Sequence, residues 1–460
     1  MLTTCKGKGE KMSELIIALI VIILAAYLIK KKYDIKLVMF GSGILLMLSA
    51  LLMNKVILPS ESSSGVPFFD IFKVMGNLFT KQLSGASFTL LLLFGYTAYM
   101  KAIRADEKTV SVLSAPLKHI KIKALLIPIF YLIGNFLCII IPSSSSLSVM
   151  LMATAFPILT SAGVSPLAVG AVIATSATIA PTPLGADNLL ASEALGLPVT
   201  DYVFNYHAKI SIPIILMMAI VHFIWQKRQD HLERSEITST LPKLKEVTDQ
   251  LPMFYAILPM LPLLLMLIFY FVSDVNLGIS EVIFFSLMVS ILCEVIRMRS
   301  FQKGTAEIQA FFNGMGVGLT TVVAQVVAAL TFVEGLKILG VIDLMGEVIN
   351  HLNAAGLMLT LAFCLLALFV GLLSGSGLAI FYAFVELMPS FAESVGISAI
   401  SLAIPMQFVS HLVKSISPVS PTVIIISSMM NVSPVRLIKR TIVPVLVGMV
   451  LSIVLTYVIL

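Results

Sequence analysis

Two short polar tips, each closing a long apolar run, carry the residues best suited to chemistry in this chain. Ser143, Ser144, Ser145 and Ser146 follow Pro142 at the end of the run 124–141, and Ser374, Gly375, Ser376 and Gly377 end the run 357–373. Serine hydroxyls donate hydrogen bonds, and glycine lets a ligand come close to the backbone. The N–H groups and dipole of the helix that follows present positive potential to an anion. Two such tips meeting near the middle of a membrane would hold the two carboxylates of a small dianion. A second interruption follows each tip, at 180–183 and at 417–421, and places Thr182, Asn188, Ser417 and Ser420 as further lining. Lys414, just before the second interruption, is the most telling single residue. A charge at membrane depth is costly and marks a functional cavity, and this one complements an anion. Asp187, Glu386 and His411 are the titratable candidates for ion coupling, although Asp187 also suits a helix cap.

The elements that position these residues come in pairs. Ser146 and Gly377 are 231 residues apart, Gly163 and Gly396 are 233 apart, and Pro181 and Pro418 are 237 apart, each about half of the 460-residue chain. Matched interruptions in two halves point to a secondary transporter with its site at the repeat interface. The basic residues sit in connectors at 30–32, 101–123, 227–245, 297–303 and 436–440, and retention of Lys and Arg on the cytoplasmic side then gives the halves opposite orientation. The expected fold is an all-α polytopic membrane protein of two inverted-topology repeats, each with a re-entrant helical hairpin and a broken transmembrane helix. Residues 1–226 form the first repeat, with a hairpin at about 142–162 and a broken helix at about 165–190. Residues 227–251 are a cytoplasmic linker. Residues 252–460 form the second repeat, with a hairpin at about 374–395 and a broken helix at about 398–427.

Composition agrees with this reading. Hydrophobic residues make up 58% and charged residues 12%, against roughly 25% charged in soluble domains. The net charge of +6 is spread over connectors rather than gathered in a stripe, which excludes a nucleic-acid partner. Cys5, Cys138, Cys293 and Cys364 lack the spacing of a metal site or a disulfide framework, and no cofactor is expected. The stretch 15–29 imitates a signal peptide but reads as a retained first span. Met12 is an alternative start, which would remove Lys6, Lys8 and Lys11 from the outer side. Asn135, Asn313 and Gln325 are expected to bond between helices.

With these residues in place, the chain resembles the Dcu type C family, anaerobic carriers of four-carbon dicarboxylates in the ion transporter superfamily. The resemblance rests on Phe254-Tyr255-Ala256-Ile257-Leu258-Pro259, the Ser374–Gly377 tip, Phe381-Tyr382-Ala383-Phe384-Val385-Glu386, and Ser417-Pro418-Val419-Ser420. Lys439-Arg440-Thr441 with Val443-Pro444-Val445-Leu446-Val447-Gly448 adds to it, and the first half matches more loosely through 151–154 and 180–182. It implies exchange or efflux of succinate, fumarate or malate across a bacterial inner membrane, by an elevator-like movement of the hairpin-bearing unit. The coupling partner is H⁺, Na⁺ or a counter-substrate, and the resemblance also implies a homodimer. Family members carry Arg where this chain has Lys414, and only Arg grips a carboxylate bidentately.

Two other readings compete. One is a carrier of a different organic anion. The other is an intramembrane serine hydrolase with Ser376 as nucleophile and His411 as base. The first tip repeats the same pattern with no histidine nearby, and a hydrolase has no use for duplicated breaks. The chain is therefore expected not to be an enzyme.

Overall fold

In lipid a backbone has no water to bond to, so apolar runs this long must satisfy their own N–H and C=O groups as helices. The computed structural model describes residues 2–31, 33–116, 123–233, 251–272, 277–341 and 355–460. Among them the regular structure is all helical, with no strand. Among the described residues eight helices are long and apolar enough to cross a membrane: 12–29, 35–52, 144–161, 199–232, 279–298, 301–339, 356–374 and 434–459. The expected linker at 227–251 falls at 234–250 outside the described residues.

One group of helices is built on close backbone contact. Ile35–Leu52 packs along Ala324–Leu339, and Ala86–Ala102 along Ile308–Gly318. Glycine permits this: a Cβ on Gly43 would lie 2.5 Å from the carbonyl oxygen of Thr331, and one on Gly314 2.5 Å from the Cβ of Ala98. Small residues bring membrane helices together where apolar burial gives little preference over lipid.

The other group holds the interruptions. Lys123–Ile140 and Ser144–Ser161 form a helical hairpin joined only by residues 141–143. Three of the four serines thus lie in the first turn of a helix rather than in a loop. Ser143 caps that helix, its Oγ accepting from the N–H of Ser146 at 3.4 Å, the role for which serine is favoured at a helix start. Ala355–Ser374 is the corresponding arm in the second half. Its return arm is divided into Leu378–Phe384, a 3₁₀ turn at Val385–Leu387, and Met388–Ser394. Pro389 sits at the start of the last piece, where a missing N–H costs nothing.

Pro166–Ser176 and Ala186–Ala194 are separated by non-helical residues 177–185. Ala399–Leu412 runs through a 3₁₀ turn at Val413–Ser415 to a break at 416–420 and then Pro421–Met429. The return arm Ser144–Ser161 packs on Pro421–Met429, while Leu378–Phe384 packs on Ala186–Ala194. Each hairpin therefore touches the broken segment of the other half. Asn135 and Asn313 do not bond between helices. Asn135 donates to the carbonyl of Tyr131 one turn back, at 2.9 Å, and Asn313 accepts from Gln309 on its own helix.

Candidate functional site

The two halves meet at Lys414. The 3₁₀ turn at Val413–Ser415 lets its half-buried side chain leave the helix axis, and its Nζ donates to the Oγ of Ser144 at 2.8 Å. That hydroxyl in turn donates to the carbonyl of Ala177 in the first break, at 3.0 Å. Cys138 and Asp187 lie within electrostatic reach of the ammonium. A cation from the second half thus rests on the N-terminal turn of the first return helix. Ser143, Ser145 and Ser146, the neighbours of Ser144 in the chain, are all half-buried.

Each break is clamped to the hairpin arm of its own half in the same way. Thr182 Oγ1 donates to the carbonyl of Ile139 at 2.8 Å, and Ser417 Oγ donates to the carbonyl of Leu372 at 2.9 Å. Both hydroxyl hydrogens are committed to backbone, so these two residues hold the breaks in place. Ser415 extends the pattern, donating to the carbonyl of Ala174 at 2.7 Å.

The second tip is a close backbone crossing. Gly375 has φ +82°, and a Cβ there would lie 2.8 Å from the carbonyl oxygen of Val419 and 3.0 Å from the Cα of Ser420. A Cβ on Gly377 would lie 2.6 Å from the Cα of Ser410. Ser374 Oγ folds back on Ser376, accepting from its N–H at 3.3 Å. The buried hydroxyls of Ser410 and Ser420, which flank this crossing, have no hydrogen-bond partner among the described residues. Buried polar groups are seldom left so.

Asp187 and Asn188 open the helix Ala186–Ala194 and join a network that the sequence did not disclose. Gln407, fully buried in Ala399–Leu412, donates to Asp187 and, at 2.7 Å, to Asn188 Oδ1. Its own Oε1 accepts from the hydroxyl of Tyr202 at 2.6 Å. Tyr202 begins a π-helical turn, Tyr202–His207, a local widening that recurs at functional sites. Asn188 Nδ2 donates to the carbonyl of Thr182 at 2.8 Å, which ties the network to the first clamp. His411 Nε2 lies 2.8 Å from Asp187 Oδ2, without the alignment of a good hydrogen bond, and Nδ1 has no partner among the described residues. His411 therefore faces Asp187, and no contact joins it to Ser376. Glu386 stands apart, with Lys81 and Glu193 as its charged neighbours.

A cavity of about 350 Å³ opens onto the first tip. Pro142, Ser143, Ser146, Leu184 and Ala186 form one wall; Phe94, Thr97, Lys101 and Gly314 are among those facing them. Lys101, read from sequence only as a marker of the cytoplasmic side, is the cation of that cavity. Nothing local sets it apart from other connector lysines; only its place in the lining of the same cavity as the tip does. Among the described residues no group of three or more His, Cys, Asp or Glu could hold a metal ion.

Comparison with known proteins identifies the chain. Residues 13–460 match the family DcuC, C4-dicarboxylate anaerobic carrier. An Escherichia coli protein named anaerobic C4-dicarboxylate transporter DcuC is 34% identical over 444 residues, covering 96% of both chains. A Vibrio cholerae protein named a probable transporter of the same type is 33% identical over 95% of this chain and 96% of its own. Two solved structures share the fold at 14% identity. Neisseria gonorrhoeae MtrF, described among antimetabolite efflux pumps, has a TM-score of 0.61 over 92% of this chain and 95% of its own. The Alcanivorax borkumensis YdaH transporter scores 0.55 over 92% and 97%. A carrier rather than an enzyme, set in a bacterial inner membrane, the chain belongs to the DcuC family of anaerobic C4-dicarboxylate carriers.

Proposed function

We propose that this carrier moves succinate, fumarate and malate by exchange or by succinate efflux, with the dianion held between the two tips. The observation that carries the proposal is the contact of Lys414 with Ser144, which brings the one cation of the second break onto the first tip. One carboxylate meets the Lys414 ammonium, the serines at 143, 145 and 146 and the N-terminus of Ser144–Ser161, while the Ser144 hydroxyl aims the ammonium. The other meets Ser376, Gly377 and the unpartnered hydroxyls of Ser410 and Ser420. Thr182, Asn188 and Ser417 hold this geometry, and Ser374 and Gly375 shape the second tip. Two anion sites at a fixed separation suit a four-carbon diacid and leave a monoacid half-bound.

Movement follows from the two helix groups. The hairpins and broken segments, clamped to one another, shift as a unit against the glycine-packed pairs of 35–52 with 324–339 and 86–102 with 308–318. The halves act as inverted repeats, so each hairpin closes the site from one side. The cavity at Lys101 is the cytoplasmic approach. Asp187 and His411 take up a proton when net efflux occurs without a counter-substrate; Glu386, away from this network, is left out of the coupling step.

The test is counterflow in proteoliposomes loaded with unlabelled succinate, following entry of labelled succinate. Uptake should require internal dicarboxylate and be competed by fumarate and malate but not by butyrate or citrate. Absence of uptake with every four-carbon diacid refutes the substrate assignment. Net efflux with a trapped pH dye tests coupling: Asp187→Asn should keep exchange and lose the proton signal, and an unchanged signal refutes the role given to Asp187.

A further inference from the structure

The helix Ala208–Leu232 carries an amphiphilic face at its cytoplasmic end. Phe223 and Ile224 stand one turn before Lys227 and Arg228, and His231 stands one turn beyond Lys227, all on one side by helical spacing. With Ile127 from the first hairpin arm and Gly163, Val164 and Ser165 from the turn after the hairpin, they line a pocket of about 750 Å³. Lys227, Arg228 and His231 are exposed. Asp230, the acid in the wall, does not neutralise Lys227 and Arg228, because its Oδ1 accepts from Arg440 at 2.6 Å and from Ser165 Oγ at 2.7 Å. Arg228 lies over the ring of Trp225, 5.8 Å from its centroid, and the indole N–H donates to the carbonyl of Lys439. Tryptophan beside basic residues marks the level of lipid headgroups.

We propose that this pocket binds an anionic glycerophospholipid of the inner leaflet. The phosphodiester sits among Lys227, Arg228 and His231, and the acyl chains run along Ile127, Val164, Phe223 and Ile224. The order of the wall, apolar toward the membrane core and cationic toward the cytoplasm, matches the order of groups along such a lipid. Basic pockets between membrane helices on this side favour anionic headgroups. A free phosphate satisfies only the cations, and a zwitterionic lipid brings its own ammonium against them. The bound lipid bridges the base of the first hairpin and the helix leading into the linker, away from the dicarboxylate tips.

Native mass spectrometry of the purified full-length protein, titrated with phosphatidylglycerol, phosphatidylethanolamine or inorganic phosphate, tests this. Phosphatidylglycerol should bind selectively. Lys227→Gln with Arg228→Gln should weaken it roughly 10- to 30-fold, the effect of two basic residues near a headgroup. Arg299→Gln with Lys303→Gln, exposed cations in another connector, should change it less than about twofold. Ile224→Asn should weaken lipid retention with all cations intact. Equal binding of phosphatidylethanolamine, displacement by inorganic phosphate, or equal loss in the two charge pairs overturns the proposal. Unchanged counterflow and a single size-exclusion peak in the Lys227/Arg228 variant separate loss of lipid from loss of fold.

Discussion

The contact between Lys414 and Ser144 makes a quantitative demand. Lys414→Met keeps the length of the side chain and removes the charge. A hydrogen bond to a charged group contributes about 1.5–3 kcal/mol, and each 1.4 kcal/mol is tenfold. The half-saturation concentration for succinate counterflow should therefore rise roughly 10- to 150-fold. Ser144→Ala leaves the ammonium in place but removes the acceptor that aims it, and the 2.8 Å bond is the only side-chain hydrogen bond Lys414 makes among the described residues. Its cost should be about 0.5–1.5 kcal/mol, or roughly 2- to 12-fold. The double variant should be no worse than Lys414→Met by more than about twofold, because Ser144 acts through the lysine. Counterflow in proteoliposomes, with thermal melting to show that each variant folds, supplies all four corners of the cycle. Multiplicative effects would mean that the two residues serve the substrate separately. A Lys414→Met carrier with parental half-saturation would remove the counter-charge from the mechanism altogether.

Other parts of the structure make separate demands. Lys101→Gln should raise half-saturation from the cytoplasmic side by roughly 3- to 10-fold at low ionic strength and by less in high salt, since exposed charge is screened; salt-independent loss would refute a steering role. Gly375→Ala should lower the melting temperature, because a left-handed φ and a carbonyl 2.8 Å from the new Cβ leave it no room, at a cost of about 1–3 kcal/mol. Gly316→Ala, with nothing within 4 Å, should be neutral or mildly stabilising, and equal damage from both would refute the crossing. Arg440 is fully buried and paired with Asp230 and Glu233 at 2.6 Å each. Arg440→Met should cost about 3–5 kcal/mol by leaving two carboxylates unpaired, and adding Asp230→Asn with Glu233→Gln should restore part of the melting temperature. Burial pushes the carboxyl of Asp106, in the short helix 105–114, up to about 6. The folded state thus holds that proton more tightly than the unfolded chain, so stability from this group is present at low pH and is lost as pH rises toward 6. Asp106→Asn should flatten that part of the melting profile, and an unaltered profile would refute the assignment.

The sequence discloses most of what interrupts a hydrophobic run, because a polar or flexible residue in lipid needs a reason. Lys414, both breaks and both tips are legible on that ground. It misleads at Ser143–Ser146, where four serines resemble a loop. A serine just before a helix caps it, and those that follow then propagate it. Gln407 and Tyr202 were not legible. Each is a single polar group in an apolar helix, and only the packing of Ala399–Leu412 against the first break brings 407 to 187, 188 and 202. Lys101 escaped for the opposite reason, since a lysine at a helix end already has an explanation in topology. The closeness of Gly375 and Gly377 to neighbouring backbone was implied by their type, but not which backbone they meet.

The paired clamps bear on how the site can move. Thr182 fastens the first break to the last turn of the first hairpin arm, and Ser417 does the same in the second half. Lys414 then fastens the second break to the first tip, and Gln407 fastens the second broken segment to the first. Three of these hydrogen-bonded links close a ring of the first hairpin and the two breaks, the fourth fastens the second hairpin to it, and none of the four involves the helices 35–52, 86–102 or 308–339. A gate that opened one hairpin against its own break would have to rupture a buried bond and leave a carbonyl unpaired, at about 1–3 kcal/mol for each group. Sliding the ring as a body across the other helices breaks none of these links and exchanges mainly apolar contacts for apolar contacts. The cavity beside Lys101 lies on that sliding surface, between the ring and the helices it leaves behind. The proposed movement is thus the one that would keep the geometry of the proposed carboxylate site intact while its surroundings change from one side of the membrane to the other.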